Sequence, residues 1–254
     1  MKERNSFQLI KKNVRGILSR TKFRVLSYNS LVLFDPNWIK GKRVALVGSA
    51  DSAYKEELGA YIDGFDLVVR INKGVELVEG NEAFVGTRTD LLFHCLYEAK
   101  AGGGSPVTLQ LWKEKDVKNI VFCYNEHSVP YGPLLRTFYF KYKPQGIGVA
   151  HLPLGLSDNN FQKVLPFHPT TGFIALNSLL NCAPAELYVT GMTFYKTPFK
   201  PEYREGDLEF WKNDIKQNGV HNPELEFQVA KQLYLQHPDV FKPDATLKAI
   251  FENN

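Results

Sequence analysis

Apolar residues along this chain fall into short, β-branched runs that end at a glycine or a polar turn, with helix-spaced stretches between them. Lys42 to Gly48 (KRVALVG) is one such run, closing on a glycine as a buried parallel strand does. Comparable runs predict strands at Leu67 to Ile71, Asp90 to Cys95, Asn119 to Tyr124 and Glu186 to Thr190. Helical spacing predicts helices over Ser52 to Ile62, from Thr171 through Phe173, Leu176 and Leu180, and from Pro223 onward. Strands alternating with helices argue for one α/β domain with a mostly parallel sheet flanked by helices. Ligands of such sheets bind beyond the carboxyl ends of the strands, so the turns after Val47, Ile71 and Val189 are the places to look.

Composition narrows the class. The 254 residues are 44% apolar, enough for one substantial core, and no apolar run reaches the roughly 18 residues of a membrane span. The net charge of +4 hides an asymmetry: residues 1 to 43 carry eleven Lys/Arg against Glu3 and Asp35, a local +9, while the remainder sums to −5. The chain therefore divides into a basic arm, residues 1–40, and a body, residues 41–254. Lys11, Lys12 and Arg15 interrupt the arm's apolar residues, so it lacks the apolar stretch of a secretory signal. Phe7, Ile10, Val14, Ile17 and Leu18 recur at helical spacing. This stripe suits either a basic amphipathic helix on an anionic membrane surface or a helix docked on the body. Cys95, Cys123 and Cys182 are odd in number and form no CxxC pair, which suggests neither a disulfide framework nor a zinc site and points to a reducing, cytoplasmic setting.

Three segments carry candidate chemistry. Gly48-Ser49-Ala50-Asp51-Ser52 follows the first body strand and is expected to open a helix, where backbone N–H groups suit a phosphate. Neither the GxGxxG of dinucleotide folds nor a GxxxxGK[ST] loop is present, which argues against a Rossmann-type oxidoreductase and a P-loop enzyme. His168-Pro169-Thr170-Thr171-Gly172 precedes a second helix with two hydroxyls and consecutive backbone donors. Two such helix starts favour a nucleotide or nucleotide-sugar ligand. In Val220-His221-Asn222-Pro223-Glu224-Leu225-Glu226, Asn222 reads as an N-cap and Pro223 as the first helical residue. That places His221 and Glu226 at the two ends of a staple arrangement, with the carboxylate touching the imidazole of a general base or of a surface cap. His94 sits at a strand end, His127 and His151 in loops and His237 after the last helix, and none has a metal-ligand partner in sequence. No DxD-type pair follows a strand, so no metal is expected. Thr197 to Gly206 (TPFKPEYREG) is long enough to form a lid.

Read together, these segments resemble the sialyltransferases of glycosyltransferase family 29. Arg43 to Asp90 is similar to the family's large sialylmotif, including Ile62-Asp63, Asp66, Arg70-Ile71-Asn72 and Val85-Gly86-Thr87-Arg88-Thr89. Pro169 to Gly191 resembles the small motif, and His221 with Glu226 the very small His-x-x-x-x-Glu motif. The resemblance implies a single Rossmann-like, GT-A-like catalytic domain over 41–254. It further implies inverting, metal-independent transfer of sialic acid, or of the related acid Kdo, from a CMP donor to a glycan hydroxyl, with no other cofactor. It makes His221 the catalytic base and Glu226 its companion, and gives donor binding to Gly48, Ser49, Asn72, Thr170, Thr171, Gly172, Gly191 and Tyr203. Ser49 stands where the family usually has asparagine, and Val44 where the large-motif cysteine would pair with Cys182. Glu202 falls near a usual histidine, which leaves Lys196, Lys200 or Arg204 to meet the departing CMP. Without an apolar anchor in its arm, the chain is expected to be a bacterial-type, non-Golgi enzyme of polysaccharide biosynthesis. It would act on a glycan or lipid-linked saccharide, peripheral to the inner membrane face, with no role for nucleic acid. A non-catalytic nucleotide- or glycan-binding relative is the alternative.

Overall fold

The computed structural model describes residues 2–99, 104–129, 131–204 and 206–253. In chain order the elements are α1 (Lys2–Ser27), β1 (Leu31–Leu33), β2 (Arg43–Val47), α2 (Gly59–Asp63), β3 (Leu67–Ile71), α3 (Glu82–Val85), β4 (Leu91–His94), α4 (Leu109–Glu114), β5 (Asn119–Phe122), α5 (Gly132–Tyr142), β6 (Gly148–His151), α6 (Leu154–Lys163), α7 (Thr171–Leu180), β7 (Glu186–Thr190), α8 (Leu208–Asn218), α9 (Pro223–Gln236), β8 (Phe241–Pro243) and α10 (Ala245–Asn253). All eight strands pair in parallel, in the order β1-β6-β5-β4-β3-β2-β7-β8. Alternate residues of β2 show why both faces are covered. Val44 and Leu46 enter the larger core, whereas Ala45 and Val47 enter a smaller one with Ile62, Phe65, Val68 and Tyr188.

Three sequence expectations change. The helix expected over Ser52 to Ile62 is divided into a 3-10 turn, Asp51–Tyr54, and the short α2. Its apolar spacing serves two turns that share one small core, and the break falls where Gly59 presses on α3: a Cβ there would stand 2.0 Å from the Glu82 carbonyl oxygen. His151, expected in a loop, lies buried in β6, with its Nε2 3.7 Å from the Glu126 carboxylate. His237 caps α9 but precedes β8 and α10 rather than ending the helical part of the chain.

The arm ends sooner than its charge suggests, because Leu31–Leu33 pairs with β6 as an edge strand. The later part of α1 docks on α5 through Phe23, whose ring meets Tyr139 edge-on at 5.4 Å, while Val14, Ile17 and Leu18 stay exposed. Lys100 and the first three residues of the glycine-rich segment 101–106 (AGGGSP) lie outside the described residues. Among the described residues no helix is long and apolar enough to cross a membrane.

Several large-motif residues act as structure. The Arg70 guanidinium is buried and makes no carboxylate pair among the described residues. It donates to the carbonyls of Val85, Gly86 and Arg88 and to Thr89 Oγ1, at 2.8 to 3.1 Å. Burial brings its pKa down to about 10, so the cation is held by carbonyl dipoles. Asp63 accepts from Thr87 N, Thr87 Oγ1 and Arg88 N on the same loop. This clasp fixes the end of β3, from which Asn72 projects.

Candidate active site

Strand order reverses between β2 and β7, since β3 through β6 build outward on one side and β8 on the other. The crevice beyond their carboxyl ends is the expected ligand position. The two turns there meet without side chains. Gly48 N donates to Thr190 O at 2.8 Å and Ala50 N to Gly191 O at 2.9 Å, and a Cβ on Gly48 would stand 2.2 Å from Gly191 O. Gly191 holds φ +67, a left-handed conformation suited to glycine. Asp244, buried at the start of α10, secures the turn: Oδ2 accepts from Gly191 N and Thr190 Oγ1, and Oδ1 from Leu247 N.

A cavity of about 370 Å³ opens over this crevice, and all ten anticipated residues line it: Gly48, Ser49, Asn72, Thr170, Thr171, Gly172, Gly191, Tyr203, His221 and Glu226. Asn72 is nearly buried at φ 48, a conformation asparagine tolerates better than most residues. Its Oδ1 accepts from Cys95 N at 3.2 Å, so its Nδ2 is the group left for a ligand. The Gly48–Ser52 turn does not open a helix of useful length. The four-residue 3-10 turn begins after Ala50, without a side-chain cap, and offers little dipole. The remaining helix start is α7, ten residues long, where Thr170 Oγ1 accepts from Phe173 N at 3.3 Å.

The predicted His221–Glu226 contact is not made. Asn222 caps α9 as expected, accepting from Leu225 N at 3.0 Å, and Pro223 is the first helical residue. Glu226, however, turns inward against α7 and is fully enclosed, with both oxygens taken by Thr170: N to Oε1 at 2.7 Å and Oγ1 to Oε2 at 2.6 Å. Burial raises its pKa to about 7, against the opposing effect of these hydrogen bonds. The His221 ring bonds a carbonyl instead: Nδ1 donates to His168 O at 2.6 Å. Because a carbonyl only accepts, the proton is assigned to Nδ1 and the lone pair to Nε2. Burial lowers the His221 pKa, the carbonyl bond opposes that and the Arg204 charge assists it, so the ring stays neutral.

Sequence reasoning passed over the side chain of His168. Its ring packs edge-on against Tyr124, Tyr131 and Phe161 and lies 5.6 Å from that of His221. Burial, with His221 beside it, pushes its pKa down to about 4. The only local signal was its place just before the Pro169-Thr170 cap. Arg204, Cys95, Tyr131 and Tyr195 also line the cavity, brought there by separate loops and helices that no spacing rule connects.

Of the three cations considered for the leaving group, only Arg204 lines this cavity. Its guanidinium lies over Phe199, Tyr203 and Trp211 at 4.8 to 5.7 Å. Lys196 pairs with Glu224 at 2.8 Å, and Lys200 lies over the Tyr54 ring. Of the predicted lid, residues 197–204 strap the crevice, and Glu205 lies outside the described residues. Phe199 bridges Ala50, Lys200 N donates to Ser49 O, and Lys73 Nζ donates to the carbonyls of Glu202 and Tyr203. Among the described residues no three His, Cys, Asp or Glu side chains cluster as metal ligands.

An all-parallel sheet flanked by helices, with a cavity at its switch point, places the chain in the GT-A-like class of α/β folds. Residues 6–141 match the profile of glycosyltransferase family 29 (sialyltransferase), and the chain belongs to that family. It is 27% identical over 224 residues to the type 2 lactosamine alpha-2,3-sialyltransferase of Mus musculus and 27% over 215 residues to that of Rattus norvegicus. These alignments take in 79% and 77% of this chain, which spans only 63% and 61% of those relatives' lengths. In structure it is similar to a mammalian sialyltransferase, with TM-score 0.54, 16% identity and coverage of 89% of this chain and 77% of the other. It is also similar to the monofunctional alpha-2,3-sialyltransferase Cst-I of Campylobacter jejuni, with TM-score 0.54, 14% identity and coverage of 88% and 85%. Both structural likenesses concern the fold.

Proposed function

We propose that the protein transfers sialic acid from a CMP donor to a glycan hydroxyl, with inversion and without a metal, using His221 as general base. The observation that carries this reading is the His221 imidazole, whose Nδ1 stands 2.6 Å from His168 O, inside a cavity that also holds the α7 N-terminus and Asn72. In the reaction the acceptor hydroxyl gives its proton to Nε2, its oxygen bonds the anomeric carbon, and the carbon–oxygen bond to the phosphate breaks. The N–H groups of Thr171 and Gly172 face the donor's carboxylate or phosphate at a helix start, and Arg204 meets the charge that grows on the departing CMP. Gly48 and Gly191 let the nucleotide approach backbone. Family membership and the lactosamine sialyltransferase relatives support sialic acid as the sugar.

The test is release of CMP from CMP-sialic acid and from CMP-Kdo, with and without a galactoside acceptor, before and after EDTA. Acceptor-stimulated release from CMP-sialic acid that survives EDTA is expected. Protein that binds CMP yet never turns over either donor is instead a binding relative of the family. A second measurement addresses the crevice. Gly48→Ala drives a methyl toward Gly191 O. Calorimetric titration should show CMP affinity falling about tenfold, the effect of ~1.4 kcal/mol. An unchanged affinity would remove these turns from the donor site.

A further inference from the structure

We propose that a second cavity sharing His221 receives the acceptor and selects one that carries an anionic group, a carboxylate or a phosphate; the inference rests on His221 being the base. This cavity, of about 630 Å³, is lined among others by the aromatic Phe167 and Phe194 and by Lys196, Lys212 and Lys216. A base that takes a proton from one substrate while the other is attacked must be reached by both. His221 is one of three residues, with Phe194 and Tyr195, that line both cavities. The first cavity holds the groups suited to a nucleotide-sugar, which leaves the second for the acceptor.

The charge balance gives the acceptor's chemistry. Glu224 lines the same cavity, and its carboxylate is committed to Lys196 at 2.8 Å. Lys212 has a partner in Glu209 at 3.0 Å, one turn back on the exposed surface of α8. Lys216 makes no ion pair among the described residues. Lys212 and Lys216 stand four residues apart on one face of α8, close enough for both ammonium groups to reach one anion in the cavity they line. Phe167 and Phe194 provide aromatic surface for a sugar face.

Transfer from CMP-sialic acid is measured to one disaccharide in three forms: neutral, carboxylate-bearing and phosphate-bearing. The anionic forms are expected to exceed the neutral one about fivefold in kcat/KM, with the gap closing at high salt as surface charge contacts are screened. The better of the two identifies the group. Lys212→Ala/Lys216→Ala lowers kcat/KM on the preferred anionic form about fivefold through KM and removes its advantage. Lys248→Ala, on α10, alters neither. Equal rates on all three forms, or a double variant that slows all three alike, overturns the proposal. If CMP-sialic acid is not turned over at all, the proposed function fails by itself. The subsite is then decided by titrating the same disaccharides into the wild-type protein and the double variant: tighter anionic binding that needs the lysines upholds it, and equal binding overturns it.

Discussion

His221→Ala lowers kcat by roughly 10²–10⁴-fold, the scale of a lost general base, while CMP binding is retained. The ring is positioned by the backbone: His168 O holds Nδ1–H at 2.6 Å, and His168 N is held in turn by Val220 O at 2.8 Å. Removing the side chain therefore takes away the proposed proton acceptor and leaves the helix N-terminus and glycine turns in place. The imidazole's pKa lies below the ordinary 6.5, mainly through burial. The neutral form persists into mildly acid solution, so kcat/KM rises with pH to a midpoint below 6.5 and is level above it. Steady-state rates with single-turnover CMP release check both statements. A His221→Ala protein within a few-fold of wild-type kcat, or a midpoint well above neutrality, would rule His221 out as the base.

The second large effect is on stability. Glu226→Ala should cost roughly 2–4 kcal/mol, by leaving Thr170 N–H without a partner and opening a cavity between α7 and α9. Glu226→Gln keeps the shape and removes the titration. The carboxyl's folded pKa is raised from 4.5 to about 7, so below pH 4.5 folded and unfolded chains are both protonated and the contribution is complete. Between 4.5 and about 7 the folded chain keeps a proton that the unfolded chain releases, and stability declines as pH rises. His94 and His168, each pushed down to about 4 by burial, act in the opposite sense. The informative quantity is therefore the difference between wild type and Glu226→Gln in urea unfolding at pH 5 and pH 8. A pH-independent difference would show that Glu226 does not titrate in this interval.

Much of the fold can be read from the sequence, because buried parallel strands are continuous apolar runs. The five predicted runs become β2, β3, β4, β5 and β7. The edge strands β1 and β8 have only three residues each and partly exposed or polar positions, so they carry almost no periodic signal. That the ten anticipated residues share one cavity was legible for those in turns that follow strands or start helices, such as Gly48, Asn72, Thr170 and Gly191, where sequence position and spatial position coincide; Tyr203, on the strap, came from the family resemblance instead. What spacing could not provide is which polar atom each side chain finds. Glu226 and His221 stand at contact spacing, yet the helix start that places them also aims the carboxylate at Thr170, a partner 56 residues away. The cage around His168 joins the turn after β5, α6 and the loop before α5, and only tertiary packing assembles it.

The hold of Asp244 on Gly191 has a consequence for synthesis of the protein. The carboxylate that shapes the β7 turn is supplied by a residue 53 positions later, and that carboxylate is itself fixed by Leu247 N. A nascent chain can pair β2 with β7 before Asp244, which follows β8, is in place to accept from Thr190 Oγ1 and Gly191 N. Full affinity of the proposed donor site is therefore expected only late in translation, once the segment after β8 has docked.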